Sequence, residues 1–186
     1  QNNFDGNSNF EGSGIDQTYF IDCISRYNSA ENAPGFGSAT LIRCAIYGNN
    51  GSNNGTVASG SKLINCTVTN NSGGCVYPRV SNCYVQNSII WDNGCNFGGA
   101  NSNASYSNIE GGYTGIGNIS ADPEFSDPGM DYFYLESNSP CIDAGDPNPI
   151  YNAPDGTRND MGAFYYHQNI STSINWISPD QGDQGP

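Results

Sequence analysis

The chain has 186 residues, enough for one domain with its own core, yet only 35% of them are hydrophobic. Five basic residues against eighteen acidic ones leave a formal charge of −13, which argues against nucleic acid and anionic membrane surfaces as partners. No apolar run reaches the length of a transmembrane span, which argues against membrane insertion too.

The chain begins at Gln1 rather than Met, which is what removal of a secretory signal leaves, although an arbitrary start looks the same. Residues 1–19 are rich in Gly, Asn and Ser, with scattered Phe4, Phe10 and Ile15, and read as an N-terminal arm or a ragged first coil. Order elsewhere is expected from twelve Tyr, eight Phe and recurring Ile, Val and Leu.

From residue 20 the sequence repeats itself. Phe20-Ile21-Asp22-Cys23, Leu41-Ile42-Arg43-Cys44, Leu63-Ile64-Asn65-Cys66 and Val80-Ser81-Asn82-Cys83 each read apolar, variable, polar, Cys, with the cysteines at steps of 21, 22 and 17 residues. In the last three copies a β-branched residue and then Asn follow, giving Asn49, Asn71 and Asn87. Self-similarity at such a period signals a solenoid, in which one copy cannot bury its apolar face alone. Ile42, Cys44 and Ile46 alternate with Arg43, Ala45 and Tyr47, a period of two that predicts a strand with one buried face. Strands separated by Gly/Asn/Ser corners at this period predict an all-β parallel β-helix of about six short rungs. Cys23, Cys44, Cys66 and Cys83 are expected to stack in one file, and Asn49, Asn71 and Asn87 in another, because Asn tolerates left-handed backbone and bonds neighbouring backbone groups. A Greek-key sandwich does not require Cys and Asn to recur in phase. The register is ambiguous near Cys83, since Ser88 lies 22 residues after Cys66 and fits the same slot.

Beyond residue 100 the motifs change, and an irregular, loop-rich C-terminal part is expected. Seven cysteines with no C-x-x-C pair and a single histidine match no zinc pattern. Cys75, Cys95 and Cys141 lie off the repeat and are the candidates for a bridge between two of them, with connectivity open. Asp143, Asp146, Asp155 and Asp160 are calcium candidates, an ion suited to carboxylates and loop carbonyls. Against that stands their use as turn caps bonding backbone amides, which is the commoner role.

The ordered run of NSIIW at 87–91, YSNIEGGY at 106–113, ADPEF at 121–125, SPCIDAGD at 139–146, DGTR at 155–158 and DMGAF at 160–164 resembles the C-terminal part of bacterial secreted β-helix proteins. Many of these are choice-of-anchor Q domain proteins or carry parallel β-helix repeats. The resemblance covers about residues 20–166 and implies a right-handed β-helix domain over that span, bacterial export and a surface or matrix role. One departure is Tyr165, where that family usually carries Glu, which weakens a ligand role there. Another is the segment 167–186, a strand and tail showing none of the family's anchoring signals.

Chemistry is sparse in this pattern. Pectin-degrading β-helix enzymes need paired carboxylates on neighbouring rungs, whereas the rungs here offer only Asp22 and Asp92, and Lys62 is the single lysine. No catalytic residue and no organic cofactor is therefore expected. Trp91, Trp176 and the tyrosines are the residues able to stack on sugars. Ile170, Ile174, Trp176 and Ile177 lie in an alternating segment able to add to a neighbour's sheet edge. The sequence thus points to a non-enzymatic, secreted or cell-surface structural protein that joins copies of itself head to tail into a filament. A glycan-binding or glycan-cleaving module of a secreted protein is the alternative.

Overall fold

The structure, a computed structural model, describes residues 3–5, 19–30, 35–51, 58–73, 80–95 and 97–168. Among these residues the chain coils into a β-solenoid with four parallel sheets. The first stacks six strands, Asn3–Asp5, Ile24–Arg26, Ala45–Tyr47, Thr67–Thr69, Ile89–Trp91 and Asn108–Ile109. The second stacks Tyr19–Ile21, Thr40–Ile42, Lys62–Ile64, Tyr84–Gln86 and Asn103–Ser105. A third sheet has four strands, including Phe36–Gly37 and Val80–Ser81, and a fourth has three, including Asn50–Gly51. Leu41 pairs with Leu63 and Leu63 with Val85, so identical positions of successive coils lie over one another.

The local pattern explains why the chain coils. Each strand of the second sheet is three residues long with its middle residue inward: Leu41, Leu63 and Val85 are wholly buried. Ile46, Val68 and Ile90 do the same in the first sheet, and the files share one core with Phe36, Ala58 and Val80. Each such side chain contributes about 1.5–3 kcal/mol on burial. Between the strands a single residue takes left-handed backbone and turns the chain. Asp22, Arg43, Asn65, Asn87 and Tyr106 form one such file, with φ between 47° and 54°. Tyr27, Gly48, Asn70 and Asp92 form the next, and Ser38, Gly60 and Asn82 a third. The residue that follows each turn points inward and is small, polar or a thiol.

This arrangement corrects the expected phase. Arg43 does not continue a strand but breaks it, so the inward residues are Leu41, Cys44 and Ile46, while Ile42 faces outward and is half-buried. The cysteine file runs Cys23, Cys44, Cys66 and then Ser88 and Ser107. Cys66 N–H donates to Ser88 Oγ at 2.9 Å and Ser88 N–H to Ser107 Oγ at 3.1 Å. Cys83 belongs to a different corner, where Ala39 N–H donates to Ser61 Oγ and Ser61 N–H to Cys83 Sγ. The asparagine file is Asn28, Asn49, Asn71 and Asn93; Asn87 instead occupies a left-handed corner. Within that file each Oδ1 of Asn49, Asn71 and Asn93 accepts both the backbone and side-chain N–H of the asparagine one coil before. The cysteines and serines of the files bond the carbonyl two residues earlier, as Cys66 Sγ does to Ile64 O and Ser88 Oγ to Gln86 O, and Asn71 Nδ2 does the same to Thr69 O. Cys23, Cys44, Cys66, Cys83 and Cys141 are buried, and the last four are free thiols. Burial pushes the Cys66 thiol up, and those of Cys83 and Cys141 to about 11, so they serve as packing groups. Cys95 is disulfide-bonded, and Cys75 lies outside the described residues.

Residues 113–119 close over the last coil. Tyr106 N–H donates to Ile116 O, Ile119 N–H to Ser107 O, and the Tyr113 ring packs on Phe97 at 4.6 Å. Gly115 is required there, since a Cβ would lie 2.0 Å from Ala104 O. Residues 120–168 then run back along the outside of the first sheet. Phe133 packs on Tyr47 at 4.8 Å and joins Ala45, while Leu135, Cys141 and Met161 bury Ile89. The first sheet therefore has a core on both faces.

Candidate functional site

The corner file Asp22, Arg43, Asn65 and Asn87 is where coil and C-terminal segment meet. Left-handed backbone turns these side chains outward. Asn65 Nδ2 donates to Asn159 Oδ1 at 3.0 Å, Asp146 N–H donates to Asn87 Oδ1 at 2.7 Å, and Gln86 Nε2 to Asp146 Oδ2 at 2.9 Å. Arg43 forms a bidentate pair with Asp22, at 2.6 and 2.9 Å, which holds the Asp22 carboxyl below the usual carboxylate range.

Between this corner and the C-terminal segment lies a groove of about 700 Å³. Ile42, Ile64, Arg43 and Asn65 form its coil side. Tyr134, Tyr151, Phe164 and Tyr165 line the opposite side, with Asn152 and Asp160 among them. Tyr134 comes from the strand Tyr132–Leu135 and Tyr151 from the 3-10 turn Pro149–Tyr151. The Tyr134 and Phe164 rings meet at 4.9 Å and Tyr165 packs on His167 at 4.4 Å, so aromatic neighbours hold the lining in place. Tyr134 remains 55% exposed, which leaves its face open to the groove and to solvent.

The expected calcium residues find other partners. Asp160 accepts Asp143 N–H at 2.7 Å and Tyr166 N–H at 2.6 Å. Burial pushes its carboxyl above the ordinary range, with these amides opposing. Asp155 Oδ1 accepts the hydroxyl and backbone N–H of Thr157, which lowers its pKa. Asp146 Oδ1 accepts Asn148 N–H, and Asp143 Oδ2 accepts Gln168 Nε2. Among the described residues no three His, Cys, Asp or Glu side chains gather as a metal group. The assembly residues Ile170, Ile174, Trp176 and Ile177 lie outside the described residues.

Sequence reasoning named the tyrosines as a class, and its glycan alternative implies an exposed aromatic groove, but it did not place that groove, because Tyr134, Tyr151 and Tyr165 come from the part without repeats. A signal for its coil side was present: Asp22, Arg43 and Asn65 are the polar residues just before each stacked cysteine.

Fold and site together define a β-solenoid with an aromatic-lined groove on its flank. No protein-family model, curated protein or solved structure matches the chain.

Proposed function

We propose that the chain is an extracellular glycan-binding module that takes a neutral saccharide in this groove and does not cleave it. The observation that carries the reading is the lining of Tyr134, Tyr151, Phe164 and Tyr165 opposite the polar heads of Arg43 and Asn65. Saccharides offer flat C–H faces rimmed by hydroxyls, and a mainly apolar, aromatic wall with a few placed polar groups matches both. The volume falls within the roughly 300–1,000 Å³ of small-molecule sites.

Binding without cleavage is favoured by the state of the lining carboxylates. Asp22 is tied to Arg43, and Asp160 is 2% exposed with both oxygens accepting backbone amides. Neither is placed to exchange a proton with a ligand. An oxidising compartment is supported by the disulfide at Cys95. The charge of −13 favours a neutral ligand over a polyanion. Head-to-tail assembly into a filament is the weaker reading, since residues 113–119 already occupy the edge of the last coil.

Titration calorimetry with cello-, xylo- and manno-oligosaccharides tests this reading. Saturable binding to one of them is expected, weakened about tenfold or more in Tyr134→Ala and Tyr165→Ala, a loss of about 1.4 kcal/mol or more. Absence of binding across the three series, or binding indifferent to both substitutions, would overturn it.

A further inference from the structure

The second sheet carries two concavities, one at each end of its strands. Ile42 and Ile64 line the groove described above, while Thr40 and Lys62, two residues earlier on the same strands, line a second hollow of about 410 Å³. Between them stand Leu41 and Leu63, whose side chains are wholly buried in the core. Only backbone therefore separates the two hollows, across a step of about 6–7 Å.

The second hollow has its own platform. Tyr19, Thr40, Lys62 and Tyr84 are successive register partners and share one file on the outer face. Tyr19 is 68% and Tyr84 39% exposed. Lys62 is the only lysine of the chain, and its ammonium stands over the Tyr84 ring at 5.3 Å. No carboxylate of the described residues pairs with it. The same face of the first sheet is covered by residues 120–168, whereas these rings are left open.

We propose that the second sheet's outer face continues the groove into a track for an extended, unbranched neutral polysaccharide, with Tyr84 and Lys62 as its distal subsite. The proposal rests on the glycan reading of the groove and specifies the ligand as a chain of several sugar units. One end stacks among Tyr134 and Tyr165, the middle crosses the backbone outside Leu41 and Leu63, and the other end lies on the Tyr84 ring with Lys62 donating to its hydroxyls.

Calorimetry on the whole chain with a disaccharide and a hexasaccharide of each neutral series tests it, using Tyr84→Ala and Lys62→Gln beside the unaltered protein. The hexasaccharide is expected to bind at least about tenfold more tightly than the disaccharide. Tyr84→Ala should abolish that gain and Lys62→Gln reduce it, with disaccharide affinity unchanged in both. If the disaccharide binds but affinity does not grow with length, or Tyr84→Ala leaves the gain intact, the track is wrong and the groove stands. If neither ligand of any series binds the unaltered protein, the groove itself is wrong and the track falls with it.

Discussion

A buried side-chain amide has four hydrogen-bonding sites to fill, and the asparagine file fills them by stacking. Asn71 Nδ2 shares its two hydrogens among Ile46 O, Thr69 O and Asn93 Oδ1, all within 3.0 Å, and its Oδ1 accepts two N–H groups from Asn49. Asn71→Ala would remove the acceptor of two buried Asn49 N–H groups, while Asn93 Oδ1 would keep only the backbone N–H of residue 71. At about 1–3 kcal/mol for an unsatisfied buried group, a loss of about 2–4 kcal/mol is expected, read as a lower urea midpoint with unchanged slope. Cys66→Ser should behave differently. Ser88 and Ser107 already fill the same slot in later coils, each bonding the carbonyl two residues earlier. A change of no more than about 1 kcal/mol is expected by the same measurement. A Cys66→Ser loss as large as that of Asn71→Ala would show that the slot is not interchangeable.

At the scale of the element, the C-terminal segment is held to the coil by a few defined contacts. Gly162 is one: its φ is +104°, and a Cβ would come within 2.9 Å of Ile89 Cδ1 and 3.0 Å of Thr67 Oγ1. Gly162→Ala should loosen the segment locally at a cost of about 1–3 kcal/mol. Amide exchange should accelerate at Ala163, whose N–H donates to Thr67 Oγ1, while Val68 stays protected. Tyr27, whose hydroxyl donates to Asp131, is a second contact, and that bond raises its pKa to about 12. A phenol whose folded pKa is raised favours folding fully below its unfolded value near 10 and loses that contribution as pH rises through 12. The stability difference between the unaltered protein and Tyr27→Phe, from urea unfolding, should thus be flat at neutral pH and shrink between those two values. The coil was legible in the sequence because stacking forces equivalent residues into phase, so Leu41 and Leu63, or Cys44 and Cys66, announce one another. Its phase was less so: Arg43 and Asn87 hold left-handed backbone, a state no alternation of apolar residues reveals. Cys83 misled because a thiol serves two different corners equally well. The aromatic side of the groove could not be read, since Tyr134 and Tyr165 reach it through a path that no repeat encodes.

For the whole molecule, the same contacts decide how cooperatively it unfolds. A solenoid coil touches only its neighbours, so its stability is a sum of local terms and its ends can open first. The C-terminal segment crosses that hierarchy. It bonds Tyr27 through Asp131, Asn65 and Thr67 through Asn159 and Ala163, and Gln86 and Asn87 through Asp146 and Gly162. Coils that do not touch are thereby linked through one common strap. The complete chain should then unfold in a single calorimetric transition, with equal calorimetric and van't Hoff enthalpies. A chain ended after residue 121 keeps the closure over the last coil but loses the strap, and it uncovers Ala45, Tyr47, Thr67 and Ile89 on the outside of the first sheet. Its transition should broaden, its van't Hoff enthalpy should fall below the calorimetric one, and its exposed face should bind a hydrophobic dye. A sharp single transition in the shortened chain would mean that stacking alone supplies the cooperativity. The groove would still lose one wall, so saccharide binding should vanish in that chain whichever way its unfolding turns out.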